Sequence, residues 1–452
     1  MGKTQARSPM ATSITSALLQ QSIAAKALTT LNQLSIFPLI ATTDYETGEF
    51  QRGDQVTIRV ARPKLAQDFD PRSGAFVYSE GTYASDVVTL EKLWTEGFPI
   101  YSHDAAAAVV KYIAETGDQV AKGIAVPNDA YMYSKYRTVP ATSGAVQYFA
   151  GAPLQIAANV DPANGNFTAF DNQIALNAGQ IFDTANVPPT DRFIVMSSVA
   201  KRSFLGDTVR VTGFAAATEG SGRLIMDGLA NNVFAPIYGF SAGASNTVTG
   251  QAAVVDMDTA SSAQSELPVA SVAQDTTKFF DSAKGATTPL GAIDLTLTAG
   301  TALYVGAGGV AVGQIAQIRT TGNVPKAHMV ILRITNAGTT APIITGVPYS
   351  PAGILLTAAD FVAGDKLRIP AIGSVNVASH KEGLLLANRP IQLPAANSGA
   401  VGAIQVDPIT NIAITVIKGT YDNKTLSQIV SYHSLLGAKF SDHRKGALLL
   451  TA

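Results

Sequence analysis

The texture of the sequence changes near Thr247, and that change limits the folds open to the chain. Before it, apolar residues recur at helical spacing in several segments. From Thr247 to Gly373 helical periodicity nearly disappears, and Ala, Thr, Gly and Val dominate. Short apolar runs (AIDLTLT, ALYVG, GQIAQIRT, AHMVILRIT and KLRIPAI) are separated by turn residues at Thr321-Gly322-Asn323, Asn336-Ala337-Gly338 and Gly364-Asp365. Short strands with such punctuation predict a small β-barrel or sandwich. The α/β texture partly returns after Gly373, so 247–373 reads as a domain inserted into a mixed α and β chain. With 452 residues, there is room for several domains of about 100–200 residues each.

Outside that stretch the helical signals are clear. Leu19, Ile23, Ala27 and Leu31 repeat every four residues and predict a helix over Thr12–Leu34, ended by Phe37-Pro38. Ala106, Val110, Ile113, Gly117, Val120 and Ile124 line one face of a second helix, Asp104–Ala125, with Ser102 as its cap. Pro127 is expected to end or kink it. A third helix is predicted over Asp171–Ala185, with Ile174, Ala178, Ile181 and Ala185 on its apolar face and Pro188-Pro189 as the stop. RFIVM (Arg192–Met196) reads as a buried strand, followed by a helix capped by Ser197 or Ser198 and running through Leu205. GRLIMDGL and NVFAPIYGFSAGASN read as short strands. At the tail, Ile412, Ile414 and Val416 mark a strand that turns near Asp422-Asn423 into LSQIVSYHSLLGAKF. This predicts an antiparallel pair ending in a short apolar extension.

One hairpin is unusual. In GDQVTIRVARP, Val56, Ile58 and Val60 alternate with Thr57, Arg59 and Ala61, the period of a half-buried strand. SDVVTLEKLW reads as the returning strand, and Trp94, the only tryptophan, as a core anchor beneath the hairpin base. The tip between the two runs is roughly 20 residues, where hairpin loops in compact domains have about 2–5.

Charged residues make up 14% of the chain, against about 25% in typical soluble domains. Either much of the surface is covered by neighbouring chains, or an uncharged β-rich protein is kept soluble by Ser, Thr, Asn and Gln. The net charge of −1 gives no electrostatic footprint for nucleic acid. There is no cysteine, which excludes disulfides, thiolate nucleophiles and Cys-ligated zinc. No secretory signal or membrane-spanning run is evident, and the first ten residues read as a tail.

Catalytic motifs are weak. Gly306, Gly308 and Ala311 in VGAGGVAV fit G-x-G-x-x-A, but no acid follows until Asp360 and the pattern after Gly313 is strand-like, so a glycine hairpin is favoured over a dinucleotide loop. The histidines (His103, His328, His380, His433 and His443) form no H-x-x-x-H or H-E-x-x-H. Asp256 and Asp258 are expected in an exposed turn. No catalytic, cofactor-binding or metal residue is assigned, no cofactor is expected, and the chain is expected not to be an enzyme.

The order of parts resembles the major capsid proteins of tailed double-stranded DNA bacteriophages, the Hong Kong 97-type fold. GDQVTIRVARP looks like the rising strand of that family's extended loop, and SHDAAAAVVKYIAETGDQVAKGIA like its spine helix. DRFIVMSSVAKRSFL resembles the strand and helix of its axial domain, and AITVIKGTYDNKTLSQIVSYHSLLGAKF its C-terminal strand pair. The 247–373 insertion matches a subgroup, the short-tailed Salmonella-type coat proteins, with GDKLRIPAIGSVNV resembling its closing part.

The resemblance implies an α+β chain divided as follows. An N-terminal arm spans 1–42, an extended loop 43–100, and a peripheral domain with the spine helix 101–150. The axial domain begins at 151–246, carries the inserted β-barrel at 247–373, and finishes within 374–452 beside the C-terminal peripheral strands. The implied function is self-assembly into an icosahedral shell around a phage genome. Implied partners are other copies in hexamers and pentamers, a portal, a scaffolding protein and a decoration or cement protein. DNA would be non-specific content, with no membrane partner. The implied place is the virion, with assembly in the host cytoplasm. The alternative reading is a β-rich virion or cell-surface adhesin binding a ligand through 247–373, and a nucleotide-dependent enzyme ranks third.

Overall fold

The computed structural model describes residues 25–27, 35–43, 52–61, 83–101, 109–139, 147–149, 151–215, 235–259, 264–281, 288–300, 302–305, 308–393, 401–406, 412–422, 424 and 427–452. The fold is mixed α+β with a closed β-barrel. The chain divides into two compact units, one of Met1–Lys26, Thr43–Gly117 and Leu385–Lys439, the other of Ala27–Thr42, Asp118–Leu384 and Phe440–Ala452.

The second unit is built on a six-stranded sheet. Its strands run in the order Gln155–Ala158, Gly446–Thr451, Ser374–His380, Arg192–Met196, Phe240–Ala244 and Ala235–Ile237. RFIVM is a strand with its predicted limits, paired antiparallel to Ser374–His380 and parallel to Phe240–Ala244. The helix Asn172–Thr184 starts where Asp171 caps it, its carboxylate accepting from the Ile174 amide at 3.1 Å. Ile174, Ala178 and Ile181 bury against Ile194, Met196, Phe204, Phe240 and Leu449. Phe170 meets Phe204 edge-on, with ring centroids 5.7 Å apart.

Three expectations are corrected here. The helix after RFIVM does not stop at Leu205 but spans Ser198–Ala215, with Ser197 Oγ accepting from the Ala200 amide. The apolar tail GALLLT is no mere extension: Gly446–Thr451 is buried throughout and paired on both edges. A short run buried on every side shows no alternation, so periodicity alone does not reveal it as a strand. The long helix runs Val109–Lys135 with Pro127 inside it. An internal proline costs about 3 kcal/mol, but the turns beyond it bury Met132, Tyr133 and Tyr136, which offsets that cost. Phe37-Pro38 opens a single helical turn, Phe37–Ile40, where a proline in the first turn loses no hydrogen bond. Val120 and Ile124 are fully buried, as their face predicts. Ser102, Asp104, His103, the side chains of Val110 and Ile113, GRLIMDGL and the bulk of Thr12–Leu34 lie outside the described residues.

The 247–373 stretch contains the barrel. Its strands close in the order Glu266–Gln274, Ile293–Leu297, Ile343–Tyr349, Pro325–Thr335, Ile315–Arg319 and Lys366–Arg368, all pairs antiparallel. Leu267, Leu295, Ile318, Met329, Ile331 and Ile344 belong to a fully buried interior. Ile293–Leu297 alternates buried and half-buried residues, the period that marked AIDLTLT. ALYVG, by contrast, is not a strand: Leu303 makes only an isolated bridge to Asp258. Two barrel strands carried no clean signal. Glu266–Gln274 has Pro268 near its start and a register shift between Val269 and Ser271, and Ile343–Tyr349 contains Gly346 and Pro348, residues that weaken a strand pattern.

In the first unit, Gln55–Ala61 and Tyr83–Thr89 form a two-stranded sheet. The expected single returning strand is two. After Leu90 the chain restarts as Lys92–Tyr101, which pairs with Ser427–Phe440 instead of the hairpin. Ser427–Phe440 also pairs with Ala413–Asp422, the predicted tail pair, and Ala413–Asp422 with Val401–Val406. The break follows from burial: Leu90, with Val56 and Val88, packs on Leu385, Ala387 and Leu435.

Candidate interaction surfaces

Among the described residues no group of three or more His, Asp or Glu side chains is placed to hold a metal ion. The residues singled out in the sequence are dispersed into structural roles. His328 is buried in the barrel wall beside Gln317, whose amide lies 2.9 Å from its Nε2. His433 meets Thr95 across two strands, and His380 Nδ1 accepts from the Glu382 amide. Asp258, expected in an exposed turn, is buried and accepts from the Gly300 amide. Gly308 has φ +85°, and Val310 N donates to Tyr304 O, so the described part of VGAGGVAV is a glycine-dependent turn. Trp94 is half-buried on a strand opposite Ser434, its Nε1 without a partner. The anchoring expected of it falls to Val56, Val88 and Leu90.

The hairpin of Gln55–Ala61 and Tyr83–Thr89 lies in the first unit. Its base is closed by Gly53 N donating to Leu90 O and Leu90 N donating to Asp54 O. Val56 and Val88 are buried there, while Gln55, Thr57 and Val87 face solvent. Among the described residues each strand pairs only with the other. A lone two-stranded ribbon is marginally stable in water; the base of this one rests on Leu385, Ala387 and Leu435. The neighbouring sheet also has an exposed side: Leu93, Pro99 and Ile429 are accessible, with Pro99 directly opposite Ile429.

In the second unit the barrel is seated by a polar clamp. Arg319 donates to Asn164 O at 2.7 Å, while Gln317 and Arg368 donate to Gly165 O at 3.0 and 2.9 Å. Gln317 Oε1 accepts from Arg319 and Arg368 at once, which fixes its amide orientation. Gly165 has φ +65°, and an added Cβ would stand 3.0 Å from Arg319 Nε, so a larger residue would strain the turn and crowd the guanidinium. A cavity of about 350 Å³ beside it is lined by Asn166, Phe167, Glu266, Arg368 and Ala452 among others. Its carboxylate, Glu266, is already paired with Arg319 and Lys366. No sequence pattern marked this clamp, because its acceptors are backbone carbonyls.

No protein-family model matches the sequence, and no curated protein matches it. Solved structures do. The capsid of cyanophage P-SCSP1u aligns with 92% of this chain and 88% of its own, at 12% identity and a TM-score of 0.40. The mature capsid of bacteriophage PhiM1 aligns with 92% of this chain and 87% of its own, at 12% identity and a TM-score of 0.38. The capsid of Ralstonia phage GP4 aligns with 93% and 92%, at 9% identity and a TM-score of 0.38. The chain is thus similar to phage capsid proteins over nearly its whole length, and overlaps at this level assign it to no family.

Proposed function

We propose that the protein is a self-assembling shell subunit, the major capsid protein of a tailed double-stranded DNA phage, with the Hong Kong 97-type division into arm, extended loop, peripheral domain, axial domain and inserted barrel. The observation that carries this reading is the hairpin Gln55–Ala61 and Tyr83–Thr89, a ribbon that no third strand of the described chain completes. A neighbouring copy supplies the missing surface. The charged fraction of 14% supports the same reading, since permanent interfaces are depleted of charge. The work is association and rearrangement without bond chemistry, so no enzymatic role is proposed. The partners are other copies in hexamers and pentamers, a portal, a scaffolding protein and a decoration protein, with DNA as non-specific content. The location is the virion after assembly in the host cytoplasm.

Negative-stain microscopy of the expressed chain tests the proposal. Closed shells or tubular polyheads are expected. Discrete small particles at every concentration would favour an adhesin that uses the barrel to bind a ligand.

A further inference from the structure

Asp129 lies on the long helix, 2% exposed. Its Oδ1 accepts from Ser35 Oγ at 2.5 Å, and its Oδ2 accepts from the Ile36 amide at 3.2 Å and from Ser245 Oγ at 3.4 Å. One carboxyl group therefore joins three pieces of the second unit: the segment at 35–41, the helix, and the turn that follows the strand Phe240–Ala244. Phe37 and Ile40, fully buried, complete the seat of that segment, and Phe37 packs against Tyr133 and Tyr136.

We propose that Asp129 is a pH-operated latch that holds the 35–41 segment more tightly when it is protonated than when it is ionised.

Among the described residues no charged group acts on the carboxyl. Residues 35–41 and 240–249 contain no ionisable side chain. On the helix the adjacent ionisable group is Tyr133, one turn on, whose hydroxyl donates to Thr249 O and Val375 O and whose pKa burial raises further above 10. The groups that face Asp129 are hydroxyls and amides. Burial raises its pKa from 3.8 to about 6, against the lowering effect of the hydrogen bonds from Ser35, Ile36, Phe37 and Ser245. Protonation does not break the junction. A hydroxyl both donates and accepts, so a proton on Oδ1 is given to Ser35 Oγ while Oδ2 keeps the Ile36 amide.

The sign follows from linkage. When the segment lifts, Asp129 reaches water and returns toward its ordinary pKa. The closed state thus binds the proton more strongly than the open one. Closure is favoured most below about pH 4 and loses that advantage as pH rises through about 6. Each pKa unit is a factor of ten in the equilibrium, so opening should increase by up to about a hundredfold across this window.

Hydrogen exchange of the full chain, read by mass spectrometry on a peptide covering 35–41, tests this from pH 4.5 to 7.5. The reporters include the Leu39 amide, which donates to Ile36 O. After correction for intrinsic exchange, wild-type protection should fall at least tenfold as pH rises. Asp129→Asn keeps an acceptor for Ile36 and a donor for Ser35, and should be flat and as protected at pH 7.5 as the wild type is at pH 4.5. Ser35→Ala removes a hydrogen bond that favours the ionised form, and should move the midpoint upward. Flat wild-type protection, protection that rises with pH, or an Asp129→Asn slope equal to the wild type would overturn the latch.

Discussion

Two substitutions probe burial and close approach directly. Val120 is fully buried, so Val120→Asp places a carboxylate where water does not reach. A loss of about 3 kcal/mol or more is expected from a total of about 5–15. Lys122→Asp, two positions on and exposed, should stay within about 0.5 kcal/mol. Chemical denaturation followed by circular dichroism separates them, and equal midpoints would mean that the helix face is misassigned. Gly437 is the second probe. A Cβ there would stand 2.1 Å from Thr89 O, in backbone that a rotamer change cannot relieve. Gly437→Ala should therefore cost about 1–3 kcal/mol, whereas Gly338→Ala, with open space around it, should be neutral. Of these constraints only the first was legible in the sequence. Val120 and Ile124 announce their burial by spacing, but Gly437 is needed because a strand distant in sequence passes against it. Asp129 was silent for the same reason: its partners are Ser35 and Ser245, far away in the chain.

At the scale of elements, strands written as an alternating or an unbroken apolar run were readable and those interrupted by proline or glycine were not. Ile293–Leu297 and Pro325–Thr335 were visible, while Glu266–Gln274 and Ile343–Tyr349 hid behind Pro268, Gly346 and Pro348. Closure of the barrel makes such strands viable, because each is paired on both edges. The barrel has its own interior, and the 250–373 segment expressed alone should show dispersed amide shifts and cooperative melting. A random-coil spectrum would contradict an independent core. His328 contributes to the barrel's pH dependence: burial, and secondarily the Arg319 charge, lowers its pKa from 6.5 to about 3. The unfolded chain then binds a proton that the folded barrel refuses, so stability is lost as pH falls from about 6.5 toward 3. The melting temperature of the isolated barrel should drop on acidification, and His328→Gln should flatten that drop. An unchanged acid slope in the variant would show that other groups dominate.

At the scale of the whole molecule, composition and the over-long hairpin raised a question that one chain leaves open. The proposed shell accounts for both the low charge and the two-stranded ribbon. The change of texture at Thr247 was legible because a barrel and an α/β layer impose different periods on their sequences. The continuation of the long helix past Pro127 was not, since packing of Met132, Tyr133 and Tyr136 overrides the local signal. The tip of the hairpin, 62–82, lies outside the described residues; under the proposed shell reading its removal is expected to abolish assembly. Sedimentation velocity of the full chain beside a variant with residues 64–80 replaced by a short turn is the decisive comparison. The account predicts fast-sedimenting shells from the full chain, and from the variant a folded subunit with matching circular dichroism and no shells. Shells of normal size from the shortened chain would contradict the claim that the hairpin joins one copy to the next.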